Sequence, residues 1–95
     1  MRKITWSPAA LDDLQKSFRF ISTASPRRAH EWLEHLFGQV ERLARFPGIG
    51  RQIPELGRKL RYRQVIVGDY RIFHEVRDKE VFIFRVLHSR QMFED

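Results

Sequence analysis

The chain has 95 residues, 42% apolar and 13% aromatic, with a net charge of +6 and no cysteine. That suffices for one domain spanning residues 1–95, and it excludes a disulfide framework and any thiolate metal site. No apolar run approaches the roughly 20 residues that cross a bilayer, and MRKITWSPAALDD has no signal-peptide core because Asp12 and Asp13 come too early. A cytoplasmic domain without membrane contact is expected.

Lys3–Trp6 reads as a short first strand, and Ser7-Pro8 as an N-cap followed by proline at the first helical position. Leu11, Leu14, Phe18 and Ile21 then recur at helical spacing, with Asp12 and Asp13 placed to complement the positive end. Ser25-Pro26 repeats the start signal. The second helix is predicted to run to about Phe46, with Ala29, Trp32, Leu33, Leu36, Phe37, Val40, Leu43 and Ala44 on one face. So short a gap between the helices implies an antiparallel hairpin.

Pro47-Gly48-Ile49-Gly50 stops the second helix, and residues 47–59 read as a loop. Beyond it the apolar period changes from 3.6 to 2. A run ending at Val67, the turn Gly68-Asp69, the run Tyr70–Val76, the polar break Asp78-Lys79-Glu80 and the run Val81–His88 make an antiparallel meander. The order is β-α-α-β-β-β. The expected fold is α+β, an N-terminal strand and a helical hairpin packed on one face of a curved antiparallel sheet.

Arginine supplies 14 of the 18 cations. The guanidinium fork pairs bidentately with phosphate and carboxylate, so the excess points to an acidic partner: nucleic acid, a nucleic-acid enzyme or an acidic protein. The plain alternative is that the charge only keeps a small domain in solution. Residues 51–71 concentrate it, with Arg51, Arg58, Lys59, Arg61, Arg63 and Arg71 against Glu55 and Asp69.

In the Tyr70–Val76 strand, alternation separates Tyr70, Ile72, His74 and Val76 from Arg71, Phe73 and Glu75. Both faces are apolar in part, so alternation does not say which is buried. Arg71 is the first candidate for function, because an unpaired cation between aromatics is expensive; the alternative is a structural ion pair, with Glu75 as the nearest acid. His88, beside Ser89 and Arg90, has the chemistry of a proton shuttle or phosphate donor, or it caps the strand. His74 reads as a packed, hydrogen-bonded histidine. His30 and His35 do not share a helix face, so no metal site is expected, and no cofactor. The PGIGR segment lacks the lysine and serine of a phosphate loop, and no nucleophile-elbow spacing exists. The helix carboxylates Asp12, Asp13 and Glu41 read as solubilising and capping groups.

In SPAALDDL, LARFPGIGR, LRYR, GDYRIFHEV and VFIFRVLHSR, taken in that order along nearly the whole length, the chain resembles the RelE/ParE superfamily, the toxin halves of bacterial type II toxin–antitoxin modules. The resemblance implies the fold read above and a cognate antitoxin whose acidic or amphipathic segment wraps the toxin in a hetero-oligomer. It also implies one of two actions. RelE-like members cleave mRNA on the ribosome; carried over, Arg71 after Tyr70 becomes a phosphate contact, Arg61 and Arg63 its basic neighbours, and His88 and Arg90 the catalytic stretch. Many of those nucleases end in a proton-donating tyrosine, where this tail reads QMFED. ParE-like members instead poison DNA gyrase and are not enzymes in their own right. FPGIGR and FRVLHSRQ are more similar to this branch, with Arg90, Met92 and Phe93 as anchors for the target. A third expectation is a non-toxic nucleic-acid- or protein-binding module of the same fold.

Overall fold

Each helix starts where a serine hydroxyl can take up free backbone donors. In the computed structural model, which describes residues 1–59, 61–91 and 93, Ser7 Oγ accepts from the Ala10 amide at 2.9 Å and Ser25 Oγ from the Arg28 amide at 3.2 Å. Helix α1 (Pro8–Ala24) and helix α2 (Pro26–Arg45) are separated by Ser25 alone, which ends one and caps the other. Around them lie strands β1 (Lys3–Trp6), β2 (Arg51–Gln52), β3 (Tyr62–Val67), β4 (Tyr70–Val76) and β5 (Glu80–His88).

The strands form one sheet in the order β1-β5-β4-β3-β2. β2 to β5 pair antiparallel, whereas β1 runs parallel to β5, Lys3 opposite Glu80 and Trp6 opposite Ile83. The sheet is therefore mixed, and the expectation of a wholly antiparallel one is corrected at β1. The direction follows from connectivity. β1 covers the first half of β5, and the chain continues along its second half as the start of α1, so both must run the same way as β5. The 47–59 segment, read as a loop, also contributes the two-residue strand β2 and a single 3₁₀ turn at Pro54–Leu56.

The helices bury one face of the sheet. Leu14, Leu36, Val40 and Leu43 pack on Val67, Tyr70, Ile72, Val81, Ile83 and Val86, and each fully buried aliphatic side chain contributes roughly 1.5–3 kcal/mol. Leu11 and Phe37 lie at the margin, 47% and 44% exposed. The other face has a smaller core of Ile53, Phe73 and Leu87, ringed by Leu56, Tyr62, Phe84 and Phe93. That second core is why both alternating sets looked apolar.

β5 changes phase in its middle. Phe73 pairs with Arg85 but His74 with Ile83, so Phe84 is the extra residue of a bulge. The backbone groups freed there are taken up from α1 and its cap: Ser7 Oγ donates to the Phe84 carbonyl at 2.8 Å, and the Val86 amide donates to Asp13 at 2.9 Å. Two glycines are fixed by backbone geometry. Gly68 has φ 58° in the two-residue β3–β4 turn. Gly50 has φ 97°, and a Cβ there would lie 2.5 Å from the Gln64 carbonyl oxygen. Among the described residues, no helix is long and apolar enough to cross a membrane.

Candidate functional site

β4 sits between β5 and β3, so its odd-numbered side chains stand at the centre of the face away from the helices. Arg71 is one of them, and it is 7% exposed. Its guanidinium donates to both oxygens of Glu55 at 2.8 and 3.0 Å, to Gln64 Oε1 at 2.7 Å and to the Gln91 carbonyl at 3.0 Å. Its Cζ lies 4.5 Å from the centroid of the Phe73 ring. Glu55 also accepts from the Phe93 amide at 3.1 Å. The Arg71 hydrogen bonds hold the Glu55 carboxyl well below the usual range, at about 2. Arg71 is thus a neutralised cation that fastens the Pro54–Leu56 turn and the C-terminal tail to the sheet.

Glu75 is not its partner. Glu75 instead accepts from Arg77 at 2.8 Å and pairs with Arg61 at 3.6 Å. Arg61 also donates to the Tyr62 hydroxyl at 3.2 Å, which places it on the rim of the open face. Arg63 lies opposite His74 in the β3–β4 pairing and donates to the Gly50 carbonyl at 3.4 Å. Like Val65 and Val67, it is on the helical side, so Arg61 and Arg63 do not act together.

Tyr70 pairs with His88, and Arg71 with Leu87. Side chains on successive rungs point to opposite faces, so His88 stands on the helical side, its ring 5.4 Å from that of Tyr70. Tyr70 in turn packs on Trp32 at 5.0 Å. His88 Nδ1 accepts from the amide of Arg90, whose side chain is exposed in the turn that follows. The structure does not bring Arg71, His88 and Arg90 together around one point. Phe93 is no free anchor either. Its ring packs 5.6 Å from Phe73 and 5.7 Å from Phe84. Met92 lies outside the described residues. His74 is fully buried and its Nε2 lies 3.3 Å from the Pro47 carbonyl; burial pushes its pKa down to about 4.

What the open face does hold is a cleft of about 350 Å³ lined by the rings of Tyr62, Phe82, Phe84 and Phe93 together with Leu56, Lys59, Glu75 and Arg77. Arg77 Cζ lies 4.1 Å from the Phe82 centroid, and Arg61 Cζ lies 5.0 Å from that of Tyr62. Of the groups gathered here, Phe93 is singled out from sequence as a site residue, but Glu55, Gln64, Tyr62, Phe82 and Phe84 are not. One signal existed for Glu55, the only acid within residues 51–63. No group of three histidines or acids among the described residues could hold a metal ion.

The sequence profile of the family described as the ParE toxin of type II toxin-antitoxin system, parDE, matches residues 4–93. A solved structure, described as the chromosomal ParDE TA system from P. aeruginosa, superposes with a TM-score of 0.73 over 93% of this chain and 96% of that chain, at 20% identity. No curated protein matches the chain in sequence.

Proposed function

The chain belongs to the ParE toxin family and is the toxin component of a type II toxin–antitoxin system, and from that premise we propose that it acts by binding DNA gyrase in the cytoplasm, with no chemistry of its own. One observation carries the choice over mRNA cleavage. Hydrolytic or transesterifying attack on a phosphodiester needs a base, an acid and a phosphate-binding cation within reach of one another. Here Arg71 is occupied by Glu55, and His88 stands on the other side of the sheet. Membership of the family implies a cognate antitoxin, and an acidic one complements the net charge of +6.

The test is a supercoiling and DNA-cleavage assay with purified gyrase and the purified protein, with and without ATP. Inhibition with trapped, cleaved DNA is the expected result. Folded protein that leaves gyrase untouched but cuts mRNA in a translating extract would replace this reading with ribosome-dependent cleavage.

A further inference from the structure

We infer that the helical side of the molecule carries a nucleotide site, selective for guanine, where Phe20 meets Tyr70 and His88. It depends on neither gyrase nor the antitoxin.

Two clefts of about 350 and 400 Å³ adjoin there and share the rings of Phe20, Tyr70 and His88, each of a size that takes a small ligand. Phe20 is 76% exposed, whereas Tyr70 is buried and packed on both Trp32 and His88. A solvent-facing ring beside a fixed aromatic group is a stacking platform for a flat base.

The polar groups divide between the clefts by charge. The first is lined by Arg28 and Asp69 as well as by these rings, and neither side chain makes an ion pair with a described residue. A guanidinium and a carboxylate together match guanine, which offers acceptors at O6 and N7 and donors at N1 and N2. On adenine the matching edge sets one donor group beside a ring acceptor, which a carboxylate repels.

The second cleft is lined by Lys16, Ser17, His88 and Gln91 and by no carboxylate. Gln91 Oε1 is taken by the His88 amide and His88 Nδ1 by the Arg90 amide. The Gln91 side-chain N–H groups and the imidazole Nε2–H therefore remain to donate. The Ser17 hydroxyl joins them, as does the Lys16 ammonium, whose pair with Asp12 is exposed and so weak. Together they form a donor set for phosphate oxygens. On the open face, by contrast, Arg61, Arg71 and Arg77 are all engaged by carboxylates.

The probe is guanosine monophosphate, titrated into the full chain while ring signals are followed by NMR. Adenosine monophosphate, inorganic phosphate and the single strand dTTGTTT are titrated alongside. The expected result is saturable shifts of Phe20, Tyr70 and His88, with adenosine monophosphate at least about tenfold weaker and phosphate alone leaving Phe20 unmoved. Phe20→Ala, a change in an exposed side chain, should weaken binding about tenfold. Asp69→Asn should bring the two nucleotides within about threefold of each other while the amide spectrum stays that of the folded chain. A strand bound at least about tenfold tighter than the mononucleotide identifies a strand as the natural source of the base, and equal or weaker binding a free nucleotide. No saturable shift up to about 5 mM nucleotide, equal affinity for the two nucleotides in the wild type, or unchanged affinity in Phe20→Ala overturns the inference. So do shifts confined to the open face. No arm of the experiment involves gyrase or toxicity, so it fails or succeeds apart from the proposed target.

Discussion

Arg71 and Glu55 form a two-armed ion pair of 2.8 and 3.0 Å across 16 positions of sequence, on the face of the sheet away from the helices. The pair joins three segments by polar contacts: a central strand, the turn after Ile53 and the tail at Phe93. Breaking a buried pair leaves one charge uncompensated, and that commonly costs about 3–5 kcal/mol. Arg71→Ala should therefore lose roughly 3 kcal/mol in urea unfolding, and Arg71→Lys should recover little because it lacks the fork. A wild-type midpoint for Arg71→Ala would remove the structural role.

Two groups should give the protein acid sensitivity in successive windows. His74, depressed by burial to about 4 from an ordinary 6.5, takes a proton in the unfolded chain before the folded one. Stability falls as pH drops from 6.5 to 4, by about 3 kcal/mol at most. Glu55, lowered to about 2 from 4.5 by Arg71, contributes stability that is whole above pH 4.5 and lost as pH falls toward 2. Melting temperatures from pH 8 to pH 3 check both. His74→Gln should flatten the upper window and leave the lower one in place.

Asp13 holds the bulge. It accepts from Arg85 at 2.8 and 3.0 Å and from the Val86 amide at 2.9 Å, so Asp13→Ala should cost about 2 kcal/mol, largely by stranding a backbone donor. Hydrogen exchange at Val86 is the direct readout, and unchanged protection there would contradict the assignment. Ser7→Ala should cost about 1 kcal/mol through the lost cap.

The glycines of this chain should respond oppositely to alanine. At Gly50, with φ 97° and a carbonyl oxygen 2.5 Å from the added carbon, the β2–β3 approach must open, at a cost of at least 1–2 kcal/mol or so. At Gly38, within α2 and with nothing inside 4 Å, alanine should add roughly 0.5–1 kcal/mol. Thermal melts of the two variants decide it.

For the proposed target, removing residues 91–95 should reduce gyrase inhibition at least about tenfold, since it takes away Phe93 and with it a wall of the cleft. His88→Ala should leave inhibition within about threefold of wild type, because that ring stands on the helical side. If His88→Ala abolished toxicity and the truncated chain kept it, a catalytic role would return.

The helices and long strands were legible because Ser-Pro caps and period changes are local signals. β1 was found at its observed bounds, as were the starts of both helices and of β4. The two-residue strand β2 has no period to read, and a parallel edge partner cannot be told from an antiparallel one by composition. Strict alternation along β5 sets Phe82, Phe84, Val86 and His88 on one face and Val81, Ile83, Arg85 and Leu87 on the other; the bulge at Phe84 overturns that reading, because one inserted residue exchanges the two faces for everything beyond it. Arg71 was rightly singled out as a cation needing an answer. Its answer, Glu55, was distant in sequence, whereas Glu75 was near and already engaged by Arg77 and Arg61.

β5 follows the other strands in the chain yet stands second in the sheet, between β1 and β4. During synthesis, β1 therefore has no strand to pair with until nearly everything else has been made. The helical hairpin can form early, but its apolar stripe waits for a sheet still missing an interior member. Pairings that join the two ends of a chain are slow to find. A freshly made copy thus passes through an interval with its helices assembled and its sheet incomplete, and a binding partner already present would meet that form before it meets the finished toxin.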